Sequence, residues 1–416
     1  MQKRLKILVS CYACSPYRGS EPGMGWSFVS GLSKHHDVFV ITEKEKWEQD
    51  ISKALKEFNI TNVKFHFIQK KRGRTLRKIW PPSYYWFYKM WQKKAYSLAK
   101  QLDENENFDI IHQLNMVGYR EPGFLWKINK PFVWGPIGGT QNVPWHLFKV
   151  FSLYGKLFYG GRNIINSMQK HFLKRPKLVA KKRQSALIAA TPDIKNDIKK
   201  LWHRNSEILT EVGTSNFLNI KPVDRNLNET FKIVWSGQHT PGKALNVLLK
   251  SLSMLNDEVK WQLDVLGVGK ETQSWKQLSK MLGISNYCKW HGWIPKNEAI
   301  DTMKNAHVLC ITSLKDLTST VTIEAISLGL PIICLDHCGF AHVVNSSCGI
   351  KINMVSLNAI HIGFKNALET LYFNEEYRKK LAHGAIERAK DFSWDKKVEK
   401  LNHIYTDLLD ENTNHS

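Results

Sequence analysis

The chain is predicted to be an α/β protein with two doubly wound, Rossmann-like domains. Its 416 residues are more than one typical hydrophobic core accommodates, and 43% apolar with 23% charged residues is a globular composition. Short apolar runs alternate with helical patterns, and this alternation starts again near Phe231 after a polar span. Because parallel strands are joined through right-handed helical crossovers, each half should form its own parallel sheet.

The first half begins with an apolar run after Met-Gln-Lys-Arg. That run is too short for a signal-peptide core and leads into a Gly/Pro loop, so we expect a buried strand. Apolar β-type runs predict strands at residues 5–10, 38–42, 63–68, 110–113, 132–134 and 187–190. Helical periodicity predicts helices at residues 26–33, 47–58, 84–102 and 192–201.

The second half repeats this arrangement after a polar span at 214–230, which is expected to be a linker. Its strands are predicted at residues 233–236, 261–266, 307–311 and 332–335. Its helices are predicted at residues 243–255, 272–282, from 320, 359–373, 375–390 and 394–409. The expected domains are therefore 1–213 and 231–390, followed by a terminal helix (391–410) and a tail (411–416). Ligands of open α/β sheets bind at the carboxyl ends of the strands, so a cleft between the two sheets is expected to hold the site.

The segment 313–333 is the most informative for function. Asp316 lies in a predicted loop after a strand, and Glu324 lies one turn inside the following helix. Thr318, Ser319 and Thr320 are candidate caps at the start of that helix, whose free amides attract anions. An anion pocket with a carboxylate on each side suits a ligand with both phosphates and hydroxyls, such as a nucleotide sugar. The alternative is a buried strand and an amphipathic helix with ordinary surface acids.

Three further loops follow predicted strands. Gly23 and Gly25 lie between strand one and helix one, where glycines allow close approach of a ligand or simply form a turn. The loop does not fit a dinucleotide fingerprint, because Phe28 stands at the third glycine position. His112 ends another strand and is expected to contact a sugar hydroxyl, to move a proton, or to bond within the core.

Lys243 lies at the end of Gly237-Gln238-His-Thr-Pro-Gly-Lys, after the first strand of the second half. A lysine there can neutralise a phosphate at a helix end, although an isolated surface lysine is usually inert. No Asp-x-Asp occurs in the chain, so we predict no metal site and expect lysine and amides to carry the phosphate charge.

The formal net charge of +23 indicates an anionic partner. Residues 69–94 contain no acid and mix cations with aromatic rings, a composition suited to an anionic membrane surface. The predicted membrane contacts are Lys70, Lys71, Arg72, Arg74, Arg77, Lys78, Trp80, Trp86 and Trp91. Residues 150–183 form a second basic-apolar region. The same mixture also suits single-stranded nucleic acid or a solvated charged face, but membrane contact is the preferred interpretation.

These motifs resemble the retaining glycosyltransferases of the GT-B fold that are usually called family four. Glu324-Ala-Ile-Ser-Leu-Gly-Leu-Pro331 is similar to the family's Glu-Ala-x-x-x-Gly-x-Pro run, and Asp316 stands where the family has its first glutamate. Lys243 matches the family's phosphate-binding lysine, whereas Gln238 stands where the family has an arginine. The lost positive charge would have to come from His239 or from a basic residue elsewhere. The resemblance also implies that His112 lies near the donor sugar and that the Gly23 and Gly25 loop covers the diphosphate.

By this resemblance, Asp316 contacts the donor sugar and Glu324 holds the ribose. The implied reaction is sugar transfer, with retention, from a nucleotide diphosphate sugar to a glycan or lipid-linked acceptor, without a cofactor. The implied location is the cytoplasmic face of the cell membrane, in agreement with seven scattered cysteines that favour a reducing compartment. The alternatives are a nucleotide-sugar epimerase and a non-catalytic glycan or nucleic-acid binder. A terminal helix near Trp394 is expected to pack back on the first domain.

Overall fold

The structure is a computed structural model that describes residues 4–71, 73–80, 83–215, 220–226 and 229–413. It divides into two compact units. Unit 1 takes its described residues from Met1–Thr140, Met168–Gly213 and Trp394–Ser416. Unit 2 takes its described residues from Gln141–Ser167 and Thr214–Ser393. The chain therefore leaves unit 1 twice, and residues 141–167 belong to unit 2 although the sequence pattern placed them in the first domain.

Unit 1 contains a seven-stranded parallel sheet in the order β3-β2-β1-β4-β5-β6-β7. The strands are β1 Lys6–Cys11, β2 Asp37–Glu43, β3 Val63–Ile68, β4 Ile110–Asn115, β5 Phe132–Ile137, β6 Ser185–Ala189 and β7 Glu207–Ile208. The helices are α1 Glu21–Ser33, α2 Lys44–Glu57, α3 Arg74–Ile79, α4 Ser83–Glu106, α6 Lys174–Ala180, α7 Pro192–Trp202 and α15 Trp394–Thr413. Helix α5, Leu153–Phe172, contributes residues to both units.

Unit 2 contains a six-stranded parallel sheet in the order β10-β9-β8-β11-β12-β13. The strands are β8 Phe231–Ser236, β9 Trp261–Leu266, β10 Cys288–Gly292, β11 Val308–Ile311, β12 Ile332–Leu335 and β13 Gly349–Ile352. The helices are α8 Leu245–Leu252, α9 Thr272–Met281, α10 Lys296–Lys304, α11 Thr320–Ser327, α12 Phe340–Val343, α13 Leu357–Phe373 and α14 Glu375–Lys390.

The prediction of two Rossmann-like parallel-sheet units is confirmed. In each sheet the strand order reverses beside the first strand, between β1 and β4 in unit 1 and between β8 and β11 in unit 2. Ligands of such sheets bind outside the carboxyl ends of the strands at this reversal. Each unit therefore presents one edge where functional residues are expected.

The sequence patterns missed three strands, β7, β10 and β13. Strand β10 reads Cys-Lys-Trp-His-Gly and is partly exposed along its length, because it lies at the edge of its sheet. Strand β7 has two residues and β13 has four, which is too short for a periodicity to be visible. Each missed strand thus lies at an edge of its sheet, where burial does not impose an apolar run.

Helix α15 packs against α1 within unit 1. The rings of Phe28 and Trp394 meet edge to face with centroids 5.2 Å apart. Gly31 is needed in this contact, because a Cβ atom there would lie 2.4 Å from a methyl group of Val398. The helix extends to Thr413, three residues beyond the predicted end at 410.

A pH-dependent stability is expected from His307, which is buried in unit 2. Its Nδ1 accepts a 2.9 Å hydrogen bond from the Lys232 amide, so the ring must keep that nitrogen unprotonated. Burial, with Arg378 and Arg225 adding to it, lowers the pKa of His307 to about 4. Below pH about 6.5 this histidine binds a proton in the unfolded chain but stays neutral in the folded chain. The free energy of unfolding therefore falls as the pH decreases toward 4.

The test is urea unfolding at pH 7 and at pH 5 for the wild type and for His307→Asn. The asparagine side chain can still accept from the Lys232 amide but does not titrate. The wild type should lose about 2 kcal/mol more than the variant over this interval. His403→Asn, at an exposed position of α15, is the control. Its free energy of unfolding should change between pH 7 and pH 5 by the same amount as that of the wild type. Equal losses for wild type and His307→Asn would contradict the prediction.

Candidate functional site

Lys243 and Asp316 meet at the strand-order reversal of unit 2. Lys243 follows β8 and Asp316 follows β11, the two neighbouring strands at that point. Lys243 Nζ lies 2.5 Å from Asp316 Oδ2, and both side chains are about four-fifths buried. Asp316 Oδ1 also accepts a 2.9 Å hydrogen bond from the Leu317 amide. The structure thus brings these two sequence-predicted residues together at one sheet edge.

A short chain of hydrogen bonds fixes the two loops to each other. Trp235 Nε1 donates to Thr312 Oγ1 at 3.0 Å, and Thr312 Oγ1 donates to the Lys243 carbonyl at 2.8 Å. The Leu314 amide donates to the Gly242 carbonyl at 2.8 Å. These bonds hold the backbone that carries Lys243 against the backbone that carries Asp316. Their ion pair is therefore positioned by two loops and not by one flexible side chain.

Helix α11 begins beside Asp316. Ser319 is its N-cap residue, with a left-handed φ of 69°, and its side chain makes no cap hydrogen bond. Thr318 is buried, and its carbonyl accepts from Thr322 Oγ1 at 3.0 Å. Thr320 is the first helical residue. Ser319 thus occupies the predicted cap position without a side-chain cap, and the Thr322 amide donates to the Ser319 carbonyl at 3.1 Å. Helix N-termini favour anions, and this one lies next to Asp316.

Glu324 lies on the second turn of α11 and is paired with Lys296. Its Oε1 is 3.0 Å from Lys296 Nζ, and the lysine side chain is 74% exposed. Lys296 starts α10, directly after the edge strand β10. Because the sequence pattern did not reveal β10, it gave no reason to place Lys296 at the site. The two predicted carboxylates therefore each have a lysine partner.

Tyr159 is a second residue that sequence reasoning missed. It reaches from α5 to the loop after β8, where a Cβ atom on Gly242 would lie 2.3 Å from the tyrosine Oη. Glycine is therefore required at 242 by a close approach. Burial raises the pKa of Tyr159. No signal in the sequence could have found this contact, since Tyr159 and Gly242 are joined only by the tertiary fold.

Gln238 and His239 do not supply the cation that the family's arginine would provide. Gln238 is exposed. His239 is buried against Trp235 and Trp275, and its Nδ1 is 2.8 Å from Thr272 Oγ1. Burial lowers the pKa of His239 to about 4, so its ring is neutral near pH 7. The suggestion that His239 replaces the arginine charge is therefore wrong.

His112 is a core residue of unit 1. Its side chain is fully buried, with Nδ1 2.7 Å from Tyr405 Oη and Nε2 2.8 Å from the Gly135 carbonyl. Burial lowers the pKa of His112 to about 4. Both ring nitrogens are already used, so neither is available to a sugar hydroxyl. The prediction of a catalytic role is wrong, because His112 faces the core from the middle of β4.

Gly23 and Gly25 lie inside α1, which begins at Glu21 and not at Trp26. A Cβ atom on Gly25 would lie 2.3 Å from the Ala13 carbonyl, and one on Gly23 would lie 2.8 Å from the Arg18 carbonyl. These glycines let α1 pack closely against the loop that follows β1. The predicted open glycine loop over a ligand is thus replaced by a helix start, and donor contact at these positions remains a prediction.

The basic-aromatic segment is only partly at the surface. Lys70 is buried, with its Nζ 3.1 Å from Tyr12 Oη and 3.7 Å from the Tyr84 ring centroid. Trp91 is buried and donates to the Ile68 carbonyl. Both predicted membrane contacts are therefore wrong, because these side chains fill the interior of unit 1.

The remaining members of this set divide into two groups. Lys71, Lys78, Trp80 and Trp86 are exposed, so membrane contact at these positions remains a prediction. Arg72 lies outside the described residues, as do the side chains of Arg74 and Arg77.

Neither a membrane-spanning helix nor a cluster of metal-binding side chains occurs in the described part of the chain. No helix there is long and apolar enough to cross a membrane. No group of three or more His, Cys, Asp or Glu side chains within those residues is arranged to hold a metal ion.

Comparison with known proteins points to one family. Residues 218–388 match the family model described as Glycosyl transferases group 1, which covers most of unit 2. A D-inositol 3-phosphate glycosyltransferase of Corynebacterium diphtheriae is 22% identical over 241 residues, or 53% of this chain and 56% of that protein. The chain spans about half the length of the first curated relatives it matches.

Solved structures share the fold of both units. The lipopolysaccharide outer core galactosyltransferase WaaB has a TM-score of 0.66 at 16% identity, over 97% of this chain and 100% of that one. HepE from Anabaena, solved in complex with UDP, has a TM-score of 0.60 at 14% identity, with the same coverage. These likenesses support the GT-B fold that the motifs implied.

Proposed function

We propose that this chain, whose residues 218–388 match the group 1 glycosyl transferases, is a retaining glycosyltransferase that uses a nucleotide diphosphate sugar. The observation that carries the proposal is the Lys243–Asp316 pair beside the start of α11. It places a cation, a carboxylate and a helix N-terminus at the edge of the sheet where ligands bind. The UDP complex of HepE supports a nucleotide donor.

Each group has a distinct task in this proposal. The α11 amides and Lys243 bind the diphosphate, Asp316 accepts hydrogen bonds from the sugar, and Glu324 accepts them from the ribose hydroxyls. When the donor binds, the Lys243 ammonium group contacts the phosphate and keeps only part of its contact with Asp316. Because its partner holds it in place before binding, little rotamer entropy is lost when the donor arrives.

The chemistry follows from charge. When the bond between the anomeric carbon and the diphosphate breaks, negative charge grows on the departing phosphate oxygen. Lys243 and the α11 amides stabilise that charge. The acceptor hydroxyl attacks on the face that the phosphate leaves and gives its proton to the departing phosphate oxygen, which results in retention. No protein nucleophile is proposed. The absence of Asp-x-Asp from the sequence supports a mechanism without a metal cofactor.

The proposed acceptor is a glycan or lipid-linked precursor at the cytoplasmic face of a membrane. The similarity to a lipopolysaccharide galactosyltransferase and the net charge of +23 support this proposal. A non-catalytic binder on the same fold is the second candidate. It is favoured by the exposed Gln238 and the neutral, buried His239, which leave Lys243 as the phosphate cation of this loop.

A thermal-shift titration with UDP-, GDP- and ADP-sugars tests the proposal. Sugars of one base class should raise the unfolding temperature by mass action. At a hundredfold excess over Kd, the free energy of unfolding should increase by about 2.7 kcal/mol. The same donor should then lose its sugar to water slowly even without an acceptor, with release of the nucleoside diphosphate. Binding without any turnover would support the non-catalytic binder. No shift with any donor would contradict the transferase and favour the non-catalytic glycan or nucleic-acid binder.

A further inference from the structure

Helix α5 carries an unpartnered apolar face. Leu153, Leu157, Ile164, Ile165, Met168 and Phe172 are between 55% and 76% exposed. At 100° per residue these positions fall within an arc of about 120° on the helix. Soluble proteins rarely expose so many large side chains side by side. This set of side chains is called the α5 apolar face below.

The opposite side of α5 is the one that packs on the protein. Gly155 and Tyr159 pack against Phe151. The ring centroids of Tyr159 and Phe151 are 5.0 Å apart. Asn163 exchanges hydrogen bonds with the Val143 backbone at 2.7 and 3.0 Å, and Asn166 donates to Asn142 at 2.8 Å. The helix is therefore fixed in its rotation by a polar and aromatic seam. Its apolar face points to solvent as a consequence of this packing, not of a loose attachment.

The charged residues around the α5 apolar face indicate which kind of partner it binds. Lys156 and Arg162 are exposed on either side of the face. Between Glu121 and Asp193 the sequence contains no Asp or Glu, and α5 lies within this span. Protein–protein interfaces are depleted in lysine at their centre, whereas helices that lie in a bilayer surface combine an apolar face with flanking cations.

We propose that α5 is an interfacial helix that inserts its apolar face into an anionic lipid bilayer, with Lys156 and Arg162 at the headgroups. The inference rests on the membrane partner in the proposed function but does not depend on sugar transfer. It narrows the second basic-apolar region of the sequence, residues 150–183, to one face of α5, and it does not assign binding to the segment around Lys70 and Trp91.

The experiment is cosedimentation of the full chain with vesicles of phosphatidylcholine alone and with about one third phosphatidylglycerol. The wild type should bind the anionic vesicles, and salt should weaken that binding. Leu157→Ser/Ile164→Ser should lower the partition coefficient at least about tenfold, because two buried side chains are lost from the bilayer. Lys156→Gln/Arg162→Gln should lower it on anionic vesicles only.

Two controls make the result specific. Met281→Ser/Val355→Ser removes apolar side chains that are 83% and 78% exposed elsewhere, and should not change binding. Trp80→Ser/Trp86→Ser tests the exposed part of the originally predicted surface. The inference fails if the wild type does not bind, or if only the tryptophan variant loses binding. It also fails if the α5 variant abolishes a dimer and not vesicle binding.

The donor titration separates this inference from the proposed function. The α5 variants should keep the wild-type thermal shift with the nucleotide sugar, since none of the changed residues touches Lys243, Asp316 or Glu324. A chain that binds vesicles through α5 but shows no donor shift would leave this inference intact and contradict the transferase.

Discussion

Lys243→Met is expected to lower kcat/KM at least about a hundredfold, or about 3 kcal/mol, with the donor that gives the thermal shift. The reason is that Lys243 is the cation held at the reversal of the unit 2 sheet, where the departing diphosphate develops its charge. Methionine keeps most of the apolar stem, so the packing around Gly237 is retained. Asp316 then loses its partner, and its carboxylate becomes a repulsive neighbour of the phosphate.

Release of the nucleoside diphosphate measures this effect, with single-turnover kinetics to separate donor binding from transfer. Lys304→Met is the matched control, because Lys304 is an exposed lysine whose partner is Asp301 on the same helix. That variant should stay within about twofold of the wild type, as expected for a surface ion pair. A Lys243→Met enzyme with more than about a third of the wild-type kcat/KM would exclude the proposed role of Lys243.

Glu324→Ala is expected to weaken binding of the nucleoside diphosphate about ten- to a hundredfold, because hydrogen bonds to a charged group contribute about 1.5–3 kcal/mol. If the carboxylate holds the ribose, the wild type should show a similar loss with the 2′- or 3′-deoxy nucleotide. The variant should not distinguish the deoxy from the ribo form. Isothermal titration calorimetry of both proteins with both nucleotides gives the four dissociation constants that this comparison needs.

Lys296→Ala separates the carboxylate from its ion pair. Lys296 is 74% exposed, so removing it should change nucleotide affinity less than about threefold. If Glu324→Ala still prefers the ribo form as strongly as the wild type does, Glu324 does not contact the ribose. The proposed position of the nucleoside would then be incorrect, although Lys243 could still bind the phosphates.

Much of the unit 2 site was predictable because its chemistry is local in sequence. Asp316 and Glu324 are separated by one loop and one helix start, and Lys243 follows the neighbouring strand. A parallel sheet brings such strand ends together whatever its detailed packing. Lys296 and Tyr159 were not predictable, since an edge strand and a distant helix carry them to the site.

His112 shows where a strand-end pattern fails. The predicted strand ends at residue 113, but β4 continues to Asn115, so His112 lies two residues deeper in the sheet than expected. At that depth its ring meets Tyr405 of α15, nearly three hundred positions away. The predicted membrane contacts of Lys70 and Trp91 are wrong for a related reason. Their segment is basic and aromatic, but composition does not say which of its side chains turn inward.

Sequence patterns were enough to predict two parallel-sheet units and the loops that hold Asp316, Glu324 and Lys243, because alternating apolar runs and turn residues act over short distances. The burial of polar side chains, the pairing of lysines with the carboxylates and the uncovered face of α5 became visible in the folded chain alone. Those outcomes depend on packing between residues far apart in the chain. A sequence pattern records the period of burial within one element, but not the neighbour that covers it.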